Sequence, residues 1–459
     1  MELATEIANK ELPLLVAKLA AGVAASATAM HRLREAAAAS AHELARIACL
    51  GKDQARRVAD EPGALPALVA AVAAAGDAAA PGSTDRVAKD SAAALAWITL
   101  AGPDIAGHGA EVPGALPALA SRVAVGGAVA NCCAVALTYI AATDPGRAQR
   151  VAEVPGALPV LVATVADGGN ATPDCMAALA QIAAASRDLA RRVAQVPRAL
   201  PAVVLAVAGG EPAAAPVALQ RMAVDGARAL FEITTADAGL AGRVSEVPGA
   251  LPALVAAVAA GGEAGASSTA ALLEIAKVDS LLTRSAAWEP GALPSLAAAV
   301  AAGGAAATPR ERVAASHSAL VLAFVAKTGP GLAQRVAGAP GALQALASGV
   351  AAGGGLADFC ATALASVAAA GPGLAQRVAQ VPGALPTLVA AVATSGNVAV
   401  TSARAVGAIK SWAESAVAVA GSACAQCGAK GNKAMGKRMR VCTGCNTARY
   451  CNAECQRLA

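Results

Sequence analysis

Gly63-Ala-Leu-Pro-Ala-Leu-Val69 is the stretch that decides the fold, because it recurs along the chain at nearly constant spacing. The string Pro-Gly-Ala-Leu-Pro, or a close variant, begins at Pro62, Pro113, Pro155, Pro197, Pro248, Pro290, Pro340 and Pro382. The spacings are 51, 42, 42, 51, 42, 50 and 42 residues, and a ninth, degenerate copy lies at Leu12-Pro13. A period near 42 residues predicts stacked helical repeats.

Each repeat is predicted to hold three helices. The first ends at the turn proline, since proline cannot continue a helix and the glycine after it turns the chain. The second begins at Ala-Leu-Pro, where proline sacrifices only an amide that has no partner in the first turn. The third carries Ala-Leu-x-x-Ile/Val, a spacing that marks one buried stripe. The long repeats place their additional residues between the second and third helices, at 76–85, 209–216 and 303–310.

The composition agrees with helices packed through small side chains. Hydrophobic residues make up 56% of the chain and aromatic residues only 2%. Prolines and glycines interrupt the apolar runs, so none offers the roughly 20 residues that a membrane-spanning helix needs. The N-terminus has no basic segment ahead of an apolar run. We therefore expect an intracellular protein, in the cytoplasm or the nucleus, with no membrane partner.

These motifs resemble the armadillo-repeat family, in which a Gly-Ala-Leu-Pro-x-Leu-Val segment opens the second helix of a three-helix unit. Gly249-Ala-Leu-Pro-Ala-Leu-Val255 is another close match, and the resemblance covers residues 5–420. It implies an all-α, right-handed superhelical solenoid of about nine repeats. It also implies a groove lined by the third helices that binds extended partner segments. Such a groove fits protein or peptide partners and no small-molecule substrate.

The residue directly before the Ile or Val of the third helix is an asparagine in armadillo proteins that read peptide backbones. Here the nine positions, named the third-helix row, hold Arg46, Trp97, Tyr139, Gln181, Glu232, Glu274, Phe324, Ser366 and Ala408. The missing asparagines argue against cargo recognition of the nuclear-import type. We predict partner contacts at the six positions from Trp97 to Phe324. For the three aromatic residues, which are favoured interface anchors, filling gaps between the helices is the alternative.

A row of arginines stands five residues before the turn proline in six of the eight repeats. Its members are Arg57, Arg150, Arg192, Arg243, Arg335 and Arg377. A cation at a helix C-terminus is stabilised by the helix dipole by roughly 0.3–1 kcal/mol, and its stem covers alanine surface. We favour this structural role over a phosphate-binding stripe.

Six of the eleven cysteines lie between Cys424 and Cys455, with the spacing C-x2-C-x14-C-x2-C-x5-C-x3-C. Zinc takes four thiolate or imidazole ligands, and such paired cysteines are typical of zinc sites. Disulfides are the alternative, but an intracellular chain keeps its thiols reduced. Residues 424–459 hold too few large apolar side chains for a core of their own. Bound Zn²⁺ would then supply roughly 10–16 kcal/mol toward folding this segment.

The remaining cysteines lie on alanine-rich helices, and we predict that they are small buried hydrophobes. They are Cys49, Cys132, Cys133, Cys175 and Cys360.

The stretch from Arg449-Tyr-Cys451 to Cys455-Gln456 makes residues 424–459 resemble a MYND-type zinc finger. The resemblance implies a first zinc bound by four cysteines and half of a second site. The first set is Cys424, Cys427, Cys451 and Cys455, and the half site is Cys442 and Cys445. We expect the histidine and cysteine that complete the second site beyond Ala459, so the finger is incomplete in this chain. MYND fingers dock peptides, often proline-containing ones, and that role is implied here.

The chain contains no G-x-S-x-G, P-loop or H-E-x-x-H motif, and four thiolates make a closed, structural zinc site. We therefore predict a non-enzymatic protein-interaction scaffold. The alternative is a ubiquitin ligase-like protein with a RING-related finger and substrate-binding repeats, although a RING normally has a histidine where Cys442 and Cys445 stand. Residues 424–459 carry seven Lys or Arg and one Glu. Without interleaved aromatic residues this charge does not favour nucleic acid.

Overall fold

The computed structural model describes residues 2–24, 30–74, 83–209, 216–278, 280–304, 307–394, 396–420, 440–441 and 449–450. The chain divides into two compact bodies, residues 1–282 with 289–291 and residues 283–288 with 292–459. Both bodies are built from α-helices that repeat in threes along the described chain.

The helices of the first body are α1 (Glu2–Ala24), α2 (Met30–Cys49), α3 (Lys52–Asp60), α4 (Ala64–Ala74), α5 (Ser83–Leu100), α6 (Pro103–Glu111), α7 (Ala115–Val125), α8 (Gly127–Thr143), α9 (Pro145–Glu153), α10 (Ala157–Asp167), α11 (Thr172–Ala185), α12 (Arg187–Gln195), α13 (Ala199–Ala208), α14 (Val217–Ala236), α15 (Ala238–Glu246), α16 (Ala250–Ala260) and α17 (Gly262–Val278).

The helices with most or all of their residues in the second body are α18 (Ser280–Trp288), α19 (Ala292–Ala302), α20 (Pro309–Thr328), α21 (Pro330–Gly338), α22 (Ala342–Ala352), α23 (Gly354–Ala369), α24 (Pro372–Gln380), α25 (Ala384–Val392) and α26 (Asn397–Ala420). Two short strands, β1 (Arg440–Val441) and β2 (Arg449–Tyr450), pair antiparallel, with Arg440 opposite Tyr450.

Equivalent helices stack on one another within each body. In the first body the third helices α2, α5, α8, α11, α14 and α17 pack in that order, and the second helices α4, α7, α10, α13 and α16 do the same. In the second body α20, α23 and α26 form the third-helix layer, and α19, α22 and α25 form the second-helix layer. The predicted three-helix repeat is therefore confirmed for the eight repeats from α3 to α26. For the copy at Leu12-Pro13 it is wrong, because α1 continues through Pro13 and the first repeat consists of α1 and α2 alone. Asn9-Lys10 stand there in place of the Pro-Gly that ends the first helix elsewhere.

The turn between the first and second helices depends on one residue with positive φ. In seven repeats this residue is the turn glycine, with φ between 72° at Gly341 and 83° at Gly249. The next alanine donates its amide to the carbonyl three residues earlier, as Ala115 does to Val112 at 3.1 Å. Glycine after proline suits the third position of a type II turn. The exception is Arg198, which adopts φ 67°.

The buried face of the third helices agrees with the sequence pattern. Every row residue is followed by a buried Ile or Val, from Ile47 at 2% exposure to Ile409 at 5%. Six residues before each row position stands a small buried residue, and this column comprises Ser40, Ser91, Cys133, Cys175, Gly226, Ser268, Ser318, Cys360 and Ser402. A Cβ on Gly226 would lie 3.1 Å from Val207 Cγ2 and 3.3 Å from the Val203 carbonyl. The close approach of the second helix thus requires small side chains there.

The cysteine prediction is correct for three residues and wrong for Cys49. Cys133, Cys175 and Cys360 are buried, and desolvation raises the pKa of each thiol to about 12. Cys132 is only partly buried. Cys49 is exposed because it is the last residue of α2, where the helix end meets solvent.

The additional residues of the long repeats lie where the sequence predicted. Single glycines separate α7 from α8, α16 from α17 and α22 from α23, whereas residues 75–82, 209–216 and 303–308 separate the second and third helices of the long repeats. Within those connections, residues 75–82, 210–215 and 305–306 lie outside the described part of the chain.

No described helix is by itself long and apolar enough to cross a membrane. One bent pair of helices, α15 with α16, meets the length and composition criteria when the two are taken together across their 94° bend.

The arginine row joins successive repeats. Arg150 Nη2 donates to the Ala110 carbonyl at 2.8 Å, and Arg192 Nη2 donates to the Ala152 carbonyl at 2.8 Å. Equivalent bonds join Arg243 to Ala194 at 3.3 Å, Arg335 to Ala287 at 3.2 Å and Arg377 to Ala337 at 2.7 Å. Each acceptor lies in the last turn of the preceding first helix, where carbonyls lack intrahelical partners. The structural role that the sequence favoured is confirmed, and the stabilised helix belongs to the neighbouring repeat.

We expect Arg192→Met to lower the free energy of unfolding by about 1–2 kcal/mol, because it keeps the stem but removes a charged hydrogen bond to a helix end. Urea denaturation of the full chain measures the change. Arg187→Met, an exposed position at the start of the same helix, should change it by less than about 0.5 kcal/mol. Equal losses in both variants would contradict the role assigned to the arginine row.

Arg198→Gly should stabilise the chain by about 1 kcal/mol, because glycine adopts the left-handed conformation without the clash of a Cβ. The reverse change at the equivalent turn, Gly156→Arg, should cost a similar amount, since Gly156 has φ 81° and open space around its Cα. Thermal unfolding of both variants is the measurement. A destabilised Arg198→Gly protein would show that the arginine side chain contributes more than its backbone costs.

Candidate partner-binding surface

The nine residues of the third-helix row all lie on third helices, and none of them is buried. In the first body Arg46 and Trp97 are exposed, whereas Tyr139, Gln181, Glu232 and Glu274 are partly buried. In the second body Phe324, Ser366 and Ala408 are partly buried. Because third helices pack side by side in each body, each body presents its row residues on one accessible side, named here the third-helix face.

Trp97 is the most exposed aromatic residue of this row. Trp97 is 44% exposed, and Leu100, three residues further along α5, is 40% exposed. An indole with this much free surface does not serve merely to fill a gap between helices. Tyr139 and Phe324 present less of their surface. Apolar surface is thus available beside the polar members of the row.

The structure reveals carboxylates on this face that the sequence analysis did not single out. Asp90, Asp174 and Asp225 stand seven residues before Trp97, Gln181 and Glu232, which places them two helical turns earlier on the same side. The signal was present in the sequence as an Asp-x6 spacing before three row positions. What the sequence could not show is their burial, since the Asp90 and Asp225 side chains are only 14% and 13% exposed.

These carboxylates are only partly compensated by neighbouring charges. Asp225 Oδ2 lies 4.0 Å from Arg221 Nε and accepts no hydrogen bond, and Asp90 Oδ2 lies 3.4 Å from His42 Nδ1 and 4.0 Å from Arg86 Nε. Burial raises the pKa of Asp225 to about 6 against the attraction of Arg221 and Arg228, and the charges of Glu263 and Asp174 raise it further. The first body therefore holds carboxylates in unfavourable surroundings on an accessible face.

Burial also raises the pKa of Asp174 and Glu232. In the amide orientation that satisfies its neighbours, Asn131 Nδ2 donates to Asp174 Oδ2 at 2.9 Å and to the Asn170 carbonyl at 3.2 Å. Glu274 differs, since it accepts from Lys277 Nζ at 2.7 Å within its own helix. The carboxyls whose pKa the folded structure raises therefore lie on α11 and α14.

Among the described residues, no group of three or more His, Cys, Asp or Glu side chains is placed to hold a metal ion. The six cysteines predicted to bind zinc, from Cys424 to Cys455, lie outside the described residues. The described strands β1 and β2 bracket the sequence that contains Cys442 and Cys445, and Cys451 directly follows β2.

The fold is similar to that of an engineered protein with a solved structure, at a TM-score of 0.66 and 19% identity over 89% of this chain and 90% of that one. A designed armadillo repeat protein is 22% identical over 58% of this chain and 100% of its own, with a TM-score of 0.47. Another, solved in complex with the peptide (KR)4, is 23% identical over 58% of this chain and 99% of its own, with a TM-score of 0.45. No protein-family model and no curated protein matches the sequence. The likeness to the engineered protein concerns the fold alone.

Asp225→Asn should stabilise the chain at pH 7 by about 1–3 kcal/mol and leave it nearly unchanged near pH 4. The folded state raises the pKa of Asp225 from 3.8 to about 6. The folded state therefore favours the protonated carboxyl of Asp225. The stability that this protonated carboxyl contributes is complete below pH 3.8 and is lost as the pH rises through about 6, where the carboxyl becomes charged. Urea denaturation across this range measures the effect.

Asp188→Asn is the matched control, since the Asp188 side chain is 86% exposed. We expect it to shift stability by less than about 0.5 kcal/mol at either pH. A stability gain of Asp225→Asn that does not depend on pH would show that the carboxylate charge is not its cause.

Proposed function

We propose that this chain is a non-enzymatic protein-interaction scaffold whose third-helix faces bind extended segments of partner proteins. The observation that carries the proposal is the combination of exposed apolar surface at Trp97 with poorly compensated carboxylates such as Asp225 on one face. Charged groups in such surroundings reduce stability, so a partner that pairs with them would gain more than it would at an ordinary surface.

The repeat geometry suits a partner in extended conformation. Packed helices lie about 8–10 Å apart, and an extended chain advances about 3.3 Å per residue. A bound segment would therefore pass one third helix about every three residues. The six third helices of the first body would contact a segment of roughly 15–18 residues. Row residues on successive helices would then contact partner side chains about three residues apart.

We further propose that Zn²⁺ organises residues 424–459 into a MYND-type finger that docks proline-containing peptides. The spacing of the six cysteines supports it, and so does the antiparallel pairing of β1 with β2 on either side of Cys442 and Cys445. Cys424, Cys427, Cys451 and Cys455 would hold the first ion. Free thiolates require reducing surroundings, so an intracellular location in the cytoplasm or nucleus belongs to the proposal.

Peptides selected from a random library on the full chain should bind the third-helix face of the first body. We expect Trp97→Ala to weaken such a peptide by about tenfold, as the loss of an aromatic anchor does. Trp288→Ala is the matched control, because Trp288 is 58% exposed but lies on the first helix α18. Fluorescence anisotropy gives the dissociation constants.

Equal weakening by the two tryptophan variants would contradict the assignment of the face, and a library that yields no binder would contradict the scaffold itself. The non-enzymatic role has its own test. Ubiquitin chains formed by the full chain with a bare conjugating enzyme would overturn it.

Elemental analysis of the purified chain should return one tightly bound zinc, and Cys424→Ser should release it because three thiolates remain of four. Cys49→Ser is the control, since Cys49 is exposed at the end of α2, and it should keep the metal. Zinc that stays with the Cys424→Ser protein would refute the ligand assignment.

A further inference from the structure

A groove of about 560 Å³ crosses the third helices of the second body. Its apolar lining includes Ala326 of α20 and Ala365 and Ala369 of α23. Two cations also line it, Lys327 at the end of α20 and Arg404 on α26. The groove contains Ser366 of the third-helix row, so it belongs to the face proposed to bind partners.

The two cations are not paired with carboxylates in the part of the chain that the structure describes. Both residues are exposed, and the nearby acidic residue Asp358 instead accepts from Thr401 Oγ1 at 3.4 Å. On the same helix as Arg404, Lys410 Nζ lies 3.9 Å from Glu414 Oε1. Two unpaired cations above an apolar lining create a positive potential that favours a carboxylate.

The start of α21 adds a second source of positive potential. Gly329, its N-cap residue, lines the groove with Pro330 and provides no side-chain acceptor. At two first helices of the first body, α9 and α15, the same position is Asp144 or Asp237, whose carboxylates accept from Arg147 N at 2.9 Å and Gly239 N at 2.7 Å. At α3 and α6 it is glycine, as at α21. This position therefore suits a carboxylate, and at α21 the chain itself supplies none.

We propose that this groove binds an extended acidic segment of a partner protein, with one of its carboxylates between Lys327 and Arg404 near the start of α21. The proposal deepens and rests on the proposed scaffold function. A peptide is favoured over single-stranded nucleic acid because no aromatic side chain lines the groove, whereas nucleic-acid sites of that kind use aromatic stacking.

The first test uses the full chain and a fluorescein-labelled peptide of about 12 residues that alternates Glu and Ala, which spans the three third helices of this body. The double variant Lys327→Glu/Arg404→Glu should weaken binding at least about tenfold, and added salt should weaken it in the wild type. Lys410→Glu, on the same helix outside the groove, should leave binding unchanged. A Lys-Ala peptide of equal length should not bind there.

Gly329→Asp separates binding from folding. Gly329 has φ 169°, an extended conformation open to any residue, and no atom lies within 4 Å of an added Cβ. The new carboxylate should cap α21 as Asp144 caps α9, so the Tm should not fall while acidic-peptide affinity drops by about fivefold or more. Gly102→Asp is the matched control, since it makes the same change at the start of α6 in the first body, where Gly102 has φ 167° and no atom lies within 4 Å of an added Cβ.

Unchanged affinity in both Gly329→Asp and Lys327→Glu/Arg404→Glu would overturn the proposal, and so would displacement of the acidic peptide by an oligothymidine. Failure here is distinguishable from failure of the scaffold. Library peptides that bind in a Trp97-dependent way would then still support the scaffold, and only the acidic specificity of the second body would be lost.

Discussion

Eight repeats depend on a single residue held in the left-handed region between their first and second helices. Proline ends one helix, and the residue after it reverses the chain so that the next helix begins at once. Glycine adopts this conformation at seven turns, whereas at the eighth Arg198 adopts it although its Cβ disfavours positive φ. Since the turn sets the direction of both helices, the arginine five residues earlier reaches a carbonyl of the preceding first helix at five of these turns.

The junction between successive repeats has a constant length, so the repeats differ in length elsewhere in the unit. The long repeats differ from the short ones between the second and third helices, and their third helices are longer as well. The contact between second and third helices is constrained by the column of small residues that includes Gly226 and Ser318. The outward side of the third helices is free of both constraints, so its residues differ from repeat to repeat. That freedom is what a surface for partner recognition requires.

The third-helix faces of the two bodies carry charges of opposite sign, carboxylates in the first and cations in the second. The first body places Asp174, Asp225 and Glu232 where burial raises the pKa of each carboxyl. The second places Lys327 and Arg404 beside a helix start that lacks an acidic cap. The cysteines of the chain fall into two groups. Burial in the helices raises the thiol pKa of Cys133 and Cys360 to about 12, and this disfavours the thiolate form that binds a metal. The closely spaced cysteines of residues 424–459 are the only ones whose spacing suits zinc.

The sequence by itself determined the period, the three helices of eight repeats, the turn and the accessible row, because each follows from local rules. Proline and glycine act on their own backbone, and a helical stripe is visible in the spacing of apolar residues. Only the tertiary structure decided what those residues meet. The acceptor of each arginine, the exposure of Cys49, the burial of Asp225 and the groove between Lys327 and Arg404 all depend on residues of other helices. Burial and pairing across helices are properties of packing, and no local pattern in the chain encodes them.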